Sequence, residues 1–169
     1  QCGARVLRFR HGDAGDAARI AQAHGGQLAL IATDGVFSMD GDVAPLAPLA
    51  QLAKEHSAWL LVDDAHGLGV LGAQGRGSLE MAGLGAGEVP LLVGTLGKAF
   101  GSFGAFVAGD DGVIEYVMQR ARTYLFTTAL PPAVAAATRA SLRLAREEDW
   151  RRGHLAALVA RFRAGAAQL

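Results

Sequence analysis

Short apolar runs alternate with amphipathic stretches along this chain. The runs at 5–9, 28–33, 58–62, 91–93 and 105–108 read as strands, each a compact block of apolar and β-branched side chains. Helices are predicted over 13–24, 45–56, 110–122, 131–146 and 152–164. Asp13 is the expected N-cap of the first, with the pair Gly25 and Gly26 as its stop. Pro45 stands near the start of the second, where its missing N–H costs nothing. Strands alternating with helices predict an α/β fold, a mostly parallel sheet with helices on both faces. The strands are continuously apolar rather than alternating, which fits a sheet covered on both sides. No domain boundary is visible within the chain.

Composition narrows the class. A length of 169 residues suits roughly one domain, and 51% hydrophobic residues suffice for a core. Lys plus Arg and Asp plus Glu are equal at 16 each, so no electrostatic nucleic-acid surface is expected. Cys2 is the single cysteine, which excludes an internal disulfide and fits a cytoplasmic location. No signal-peptide pattern and no membrane-spanning run is read. The chain opens at Gln1 almost directly into a strand-like run and stops at Leu169 after a helical one, so a piece of a longer protein is expected.

Chemistry concentrates at Lys98, in the run LLVGTLGKAFGSFGAFVAG. Glycines flank it, and strand-like runs lie on either side. That brings it to a strand end, where open α/β sheets place ligands. A partly desolvated lysine there acts as a nucleophile and forms Schiff bases. In VDDAHGLGVLG, Asp63 follows a strand and could pair with a positively charged ring nitrogen, while His66 could donate to the same ligand. Taken alone, Asp63 reads more readily as a turn cap and His66 as a satisfied core residue. Lys98 shifts the balance towards a ligand.

Gly67, Gly69 and Gly72 fit G-x-G-x-x-G, but DDAH separates them from the strand and AQGRGS is a poor helix former. A dinucleotide site is therefore weakly supported, and sharp turning is the simpler role. Ser38, in TDGVFSMDGD, is either a turn residue or a hydroxyl for a ligand at the same strand-end side; no G-x-S-x-G elbow surrounds it. GTLGKAFG is not a Walker A loop, which would need glycine at Leu92 and Ser or Thr at Ala99. Thr95 could place a hydroxyl on a phosphate. Thr127 and Thr128 precede a helix and either cap it or help it attract an anion. The charged, amphipathic run REEDWRRGHLAALVARFR reads as a solvated helix pair packing on the domain. No metal site is expected.

The blocks VFSMDGD, VDDAHGLGVLG followed by GRGS, GTLGKAFG and TTALPP occur in one order and spacing. In these, over essentially the whole chain, it resembles the α-oxoamine synthase family of fold-type I pyridoxal-phosphate enzymes. The resemblance implies pyridoxal 5'-phosphate as cofactor, with Lys98 as its covalent anchor and then as general base. It implies that Asp63 pairs with the protonated pyridine nitrogen, and that His66 and Ser38 bond the ring hydroxyl region. Thr95 would contact the phosphate, and Thr127 or Thr128 the phosphate of a partner subunit.

The implied reaction is a decarboxylative condensation of an amino acid with an acyl thioester. The forms VDDAHG-x-GV-x-G and AFGSFGAFVAG favour the biotin-pathway branch, which uses L-alanine with pimeloyl-CoA or a pimeloyl-carrier protein. Glycine-using branches share much of the pattern and remain open. The resemblance further implies a homodimer, with no nucleic-acid or membrane partner. Residues 1–169 would be the central part of the large domain. An upstream segment would add the ring-stacking aromatic and part of the phosphate cradle. A small C-terminal domain and a carboxylate-binding arginine would lie downstream, so the chain alone is expected to be inactive or nearly so. Two other classes stay in view: a catalytically silent fragment, and a nicotinamide oxidoreductase resting on the glycine pattern.

Overall fold

One sheet of four strands, in the order β1-β2-β3-β4, organises the computed structural model, which describes residues 3–24 and 26–168. The strands are β1 (Leu30–Asp34), β2 (Trp59–Asp63), β3 (Leu91–Thr95) and β4 (Ala105–Gly109). β1, β2 and β3 are parallel, and β4 runs antiparallel to β3. β1 and β2 end one residue past the sequence-based bounds and β3 two residues past them. This makes Asp63 and Thr95 the last residues of their strands.

The core lies where α1 (Ala14–Ala23) and α2 (Leu46–Glu55) pack beside β1 and β2. α2 buries Leu46, Leu49, Ala50 and Ala53, the spacing of one helix face. These join Ile31, Leu60 and Val62 in one cluster. Asp13 caps α1 as expected, accepting from the Asp16 N–H at 2.8 Å. Of the expected glycine stop, Gly26 adopts φ +70°, whereas Gly25 lies outside the described residues, as does Cys2. Leu30 and Trp59, register partners on the opposite face of the sheet, stay 43% and 48% exposed.

Three expectations are corrected. Residues 5–9 form no strand, because no neighbouring strand among the described residues supplies a ladder; only Phe9 packs on the core. The helix read over 110–122 breaks at Ala121, whose ψ of 102° is extended, giving α4 (Asp111–Arg120) and α5 (Arg122–Leu125). A short helix, α3 (Ser78–Ala82), follows the glycine-rich stretch where none was read. α6 (Pro132–Glu147) and α7 (Trp150–Ala166) match the predicted pair within two residues. Arg152 ties α7 down, donating to Ala145 O at 2.7 Å and to Ala73 O at 3.1 Å. Among the described residues, no helix is long and apolar enough to cross a membrane.

Candidate functional site

Three parallel strands finish at one edge of the sheet, at Asp34, Asp63 and Thr95, and β4 starts beside them at Ala105. Backbone bonding continues past the strand ends: Gly35 N–H donates to Asp63 O at 2.7 Å and Asp64 N–H to Val93 O at 2.9 Å. The loops leaving this edge carry Ser38, His66 and Lys98, so the candidate residues converge because their strands do. Gly94 is required just below the edge. A Cβ there would lie 2.4 Å from the Phe106 ring and 2.5 Å from Leu68 Cδ1.

Lys98 sits in the tight connection 96–104. Leu96 N–H donates to Gly104 O and Ser102 N–H to Leu96 O, both at 2.8 Å, and Gly101 N–H donates to Lys98 O at 2.9 Å. The Thr95 hydroxyl donates to Gly104 O at 3.1 Å and accepts from Gly97 N–H at 3.2 Å. α6 holds the same loop: Ser141 Oγ donates to Phe100 O at 2.5 Å, and the Ser102 and Thr138 hydroxyls meet at 2.5 Å. The lysine itself is exposed, not partly desolvated as expected, since its loop projects beyond the sheet edge. Among the described residues no carboxylate pairs with it.

Asp63 is half-buried. Its Oδ1 accepts from the Ala65 N–H at 3.0 Å, so it does cap a turn, while Oδ2 has no protein partner among the described residues. His66 is half-buried rather than core, and its ring makes no described hydrogen bond. Ser38 is exposed in the turn of a hairpin-like loop closed by the Val36–Val43 bridge. Thr127 and Thr128 are exposed beyond α5, and the Thr127 hydroxyl bonds Thr123 O. Neither caps α6, whose N-cap is Pro131.

The Gly67, Gly69 and Gly72 pattern opens no helix, which removes the basis of the dinucleotide reading. Gly69 and Gly72 have φ of +80° and +83°, and a Cβ on Gly72 would meet Glu80 Oε2 at 2.1 Å. That Glu80 carboxylate accepts from Arg76 N–H at 2.9 Å and from Gln74 N–H at 3.0 Å, holding the GRGS loop. The Arg76 amide, with Gln74 and the nearby guanidinium groups, keeps it below the ordinary glutamate range against some burial. On the surface, His11, Asp40 and Asp42 bring potential metal-ligand atoms together, but His11 Nε2 bonds Asp42 at 2.8 Å.

Sequence reasoning missed Asp64. Its side chain is fully buried, and Oδ2 accepts from Ser78 N–H at 2.8 Å. Burial pushes this carboxyl above the ordinary range, opposed by the Ser78 contacts. The GRGS block carried the available signal, since its serine reaches back to the DDAH turn. In the sequence that stretch shows only as a poor helix former and as one block of the family resemblance.

Comparison with known proteins agrees with this geometry. The family model for aminotransferase class I and II matches residues 1–169. The 8-amino-7-oxononanoate synthase of Methylococcus capsulatus is 64% identical over 99% of this chain. The chain spans 43% of that relative's length, and a similar share of the other curated relatives. The serine palmitoyltransferase of S. paucimobilis, solved with pyridoxal phosphate and myriocin, superposes with a TM-score of 0.85 at 37% identity, over 91% of this chain and 39% of that one. An 8-amino-7-oxononanoate synthase from Francisella tularensis gives a TM-score of 0.78 at 34% identity, over 90% and 43%. With the sheet edge, the lysine loop and these matches in agreement, the chain belongs to the aminotransferase class I and II family, whose members depend on pyridoxal phosphate.

Proposed function

We propose that this chain carries the cofactor-binding core of an enzyme that condenses L-alanine with pimeloyl-CoA or a pimeloyl-carrier protein. Carbon dioxide is lost and 8-amino-7-oxononanoate is formed, a step of biotin biosynthesis. The observation that supports this most is the placement of Asp63 at the end of β2 and of Lys98 on the loop leaving the neighbouring β3, at one sheet edge. The name shared by the relatives at 58–64% identity supports the choice of substrates.

The donor set fits pyridoxal phosphate. An exposed amine, a carboxylate with one unpartnered oxygen and a half-buried imidazole without a protein bond leave the same edge. When bound, the cofactor supplies an electron sink that stabilises negative charge at the substrate's α-carbon. Lys98 Nζ would hold the cofactor covalently, and its free amine would serve as the base that accepts the substrate's α-proton. Asp63 Oδ2 would accept from the ring N–H and keep that nitrogen protonated, while Oδ1 keeps its turn closed. His66 would donate to the ring hydroxyl region, with Ser38 bonding it from the hairpin-like loop.

Thr95 has its one proton on Gly104 O. Its first task is to shape the lysine loop, and it turns to the phosphate only by leaving that bond. The full-length protein works as a homodimer, with Thr127 or Thr128 directed to the partner's phosphate; the segments beyond these residues complete the site. The test is product formation by the full-length protein with alanine, glycine and serine in parallel, each against both pimeloyl thioesters. Alanine is expected to give the fastest turnover. Faster product formation with glycine or serine overturns the substrate assignment.

A further inference from the structure

Asp64 follows the cofactor carboxylate directly yet points away from solvent. Its own backbone closes the turn that carries His66: Asp64 O accepts from Gly67 N–H and Leu68 N–H, both at 3.1 Å. Its side chain fastens that turn to a segment fourteen residues on, through Ser78 N–H at 2.8 Å. Three glycines make the space. A Cβ on Gly35 would lie 2.5 Å from Asp64 Oδ1, one on Gly67 2.2 Å from the same atom, and one on Gly77 1.8 Å from Oδ2. Neither Gly35 nor Gly67 has a left-handed φ; at Gly67 it is the volume of the carboxylate that demands glycine, and at Gly35 that of the Ser78 hydroxyl, 2.2 Å from such a Cβ, together with the carboxylate. Gly35 leaves β1, Gly67 lies in the His66 turn and Gly77 precedes α3. One buried carboxylate therefore sits among the backbones of three segments at the sheet edge.

The arrangement is unfavourable in isolation. Asp64 Oδ1 and Ser78 Oγ are buried with no hydrogen-bond partner, and an unmet buried polar group lowers stability. What the residue supplies is geometry. We propose that Asp64, through the Ser78 backbone amide, is the positioning residue that fixes the turn bearing His66, with Asp63 beside it, against the start of α3 and the end of β1. It acts through those two residues and does not touch the cofactor, and this inference rests on the cofactor site proposed above.

The test uses the full-length protein with the variants Asp64→Ala, Asp64→Asn, Ser78→Ala and Gly35→Ala. Two readouts are taken: amide hydrogen exchange over 65–68 in the cofactor-free protein, and pyridoxal-phosphate affinity with the pH titration of the bound chromophore. Asp64→Ala is expected to speed the exchange and weaken cofactor binding by about tenfold or more, the usual scale for losing a group that orients a ligand-binding residue, and to shift the titration. Asp64→Asn retains the acceptor for Ser78 N–H and is expected to restore all three. Ser78→Ala retains the amide and should behave as wild type. Gly35→Ala intrudes on both Ser78 and the carboxylate, pushing the pair apart, and should mimic Asp64→Ala.

A purely structural residue would lower the melting temperature without moving affinity or titration, and that result overturns the proposal. So does Asn behaving like Ala, or unaltered exchange in Asp64→Ala. If Asp64→Ala does not fold, Gly35→Ala decides: wild-type exchange and titration in that variant overturn the proposal. A wild-type protein that binds no cofactor sinks the cofactor reading instead, while the exchange arm still decides the positioning.

Discussion

Asp63 and Asp64 are adjacent in sequence and opposite in environment, one half-buried with an unpartnered oxygen, the other wholly enclosed. Nothing in the string VDDAH distinguishes them; the strand's last register position and the three glycines do. The place of Lys98 on a loop at the sheet edge was legible because glycines beside a lysine between apolar runs have few structural explanations. The exposure of Lys98 was not legible, because it depends on what packs over the loop. Asp63→Asn should lower turnover of the full-length enzyme by about a hundredfold, since it removes the charge proposed to face the cofactor ring. The check is kcat with alanine, and an unchanged kcat would remove Asp63 from the site. Glu80 is held below the ordinary glutamate range by the Arg76 amide. Its contribution to stability is therefore present above that range and lost as pH falls through its lowered value. Urea midpoints measured from about pH 6 to about pH 3 should fall more steeply for wild type than for Glu80→Gln. Parallel curves would contradict it.

At the scale of elements, helices with a clear apolar face were readable and their ends fell within two residues. α2 is the example: Leu46, Leu49, Ala50 and Ala53 lie on one face and all are buried. Leu49→Ala, at a fully buried position, should cost about 2–5 kcal/mol in chemical denaturation; a loss below about 1 kcal/mol would mean the core does not close on this face. Three features escaped the pattern. Residues 5–9 have strand composition, but a strand exists only where a neighbour offers a ladder. α3 follows glycines that weigh against a helix, and Glu80 and Asp64 secure its start. The break at Ala121 has no glycine or proline to announce it. The ties from α6 to the lysine loop were equally hidden, being contacts 36 and 41 residues apart.

For the whole molecule, the α/β architecture was readable from the alternation of elements, and one antiparallel edge strand leaves the sheet mostly parallel. The chain spans 43% of the length of the Methylococcus relative, and Phe126, Phe162 and Phe103 are 79%, 75% and 67% exposed. In the homodimer proposed above, the rest of the protein would cover such side chains. The full-length protein is accordingly expected to run as a dimer in light scattering, and the 169-residue chain alone to bind an apolar dye and form no product. A full-length monomer with full activity would contradict that. Beneath all of this lies the assignment of Lys98 as cofactor anchor. The chain offers its own control, because Lys54, in the last turn of α2, is its only other lysine and is exposed. The direct measurement is borohydride reduction of the full-length protein with pyridoxal phosphate, followed by digestion and mass spectrometry. A stoichiometric adduct on the Lys98 peptide, absent from the Lys54 peptide and lost in Lys98→Ala, is the predicted result. An adduct shared equally by both lysines, or none on Lys98, would contradict it.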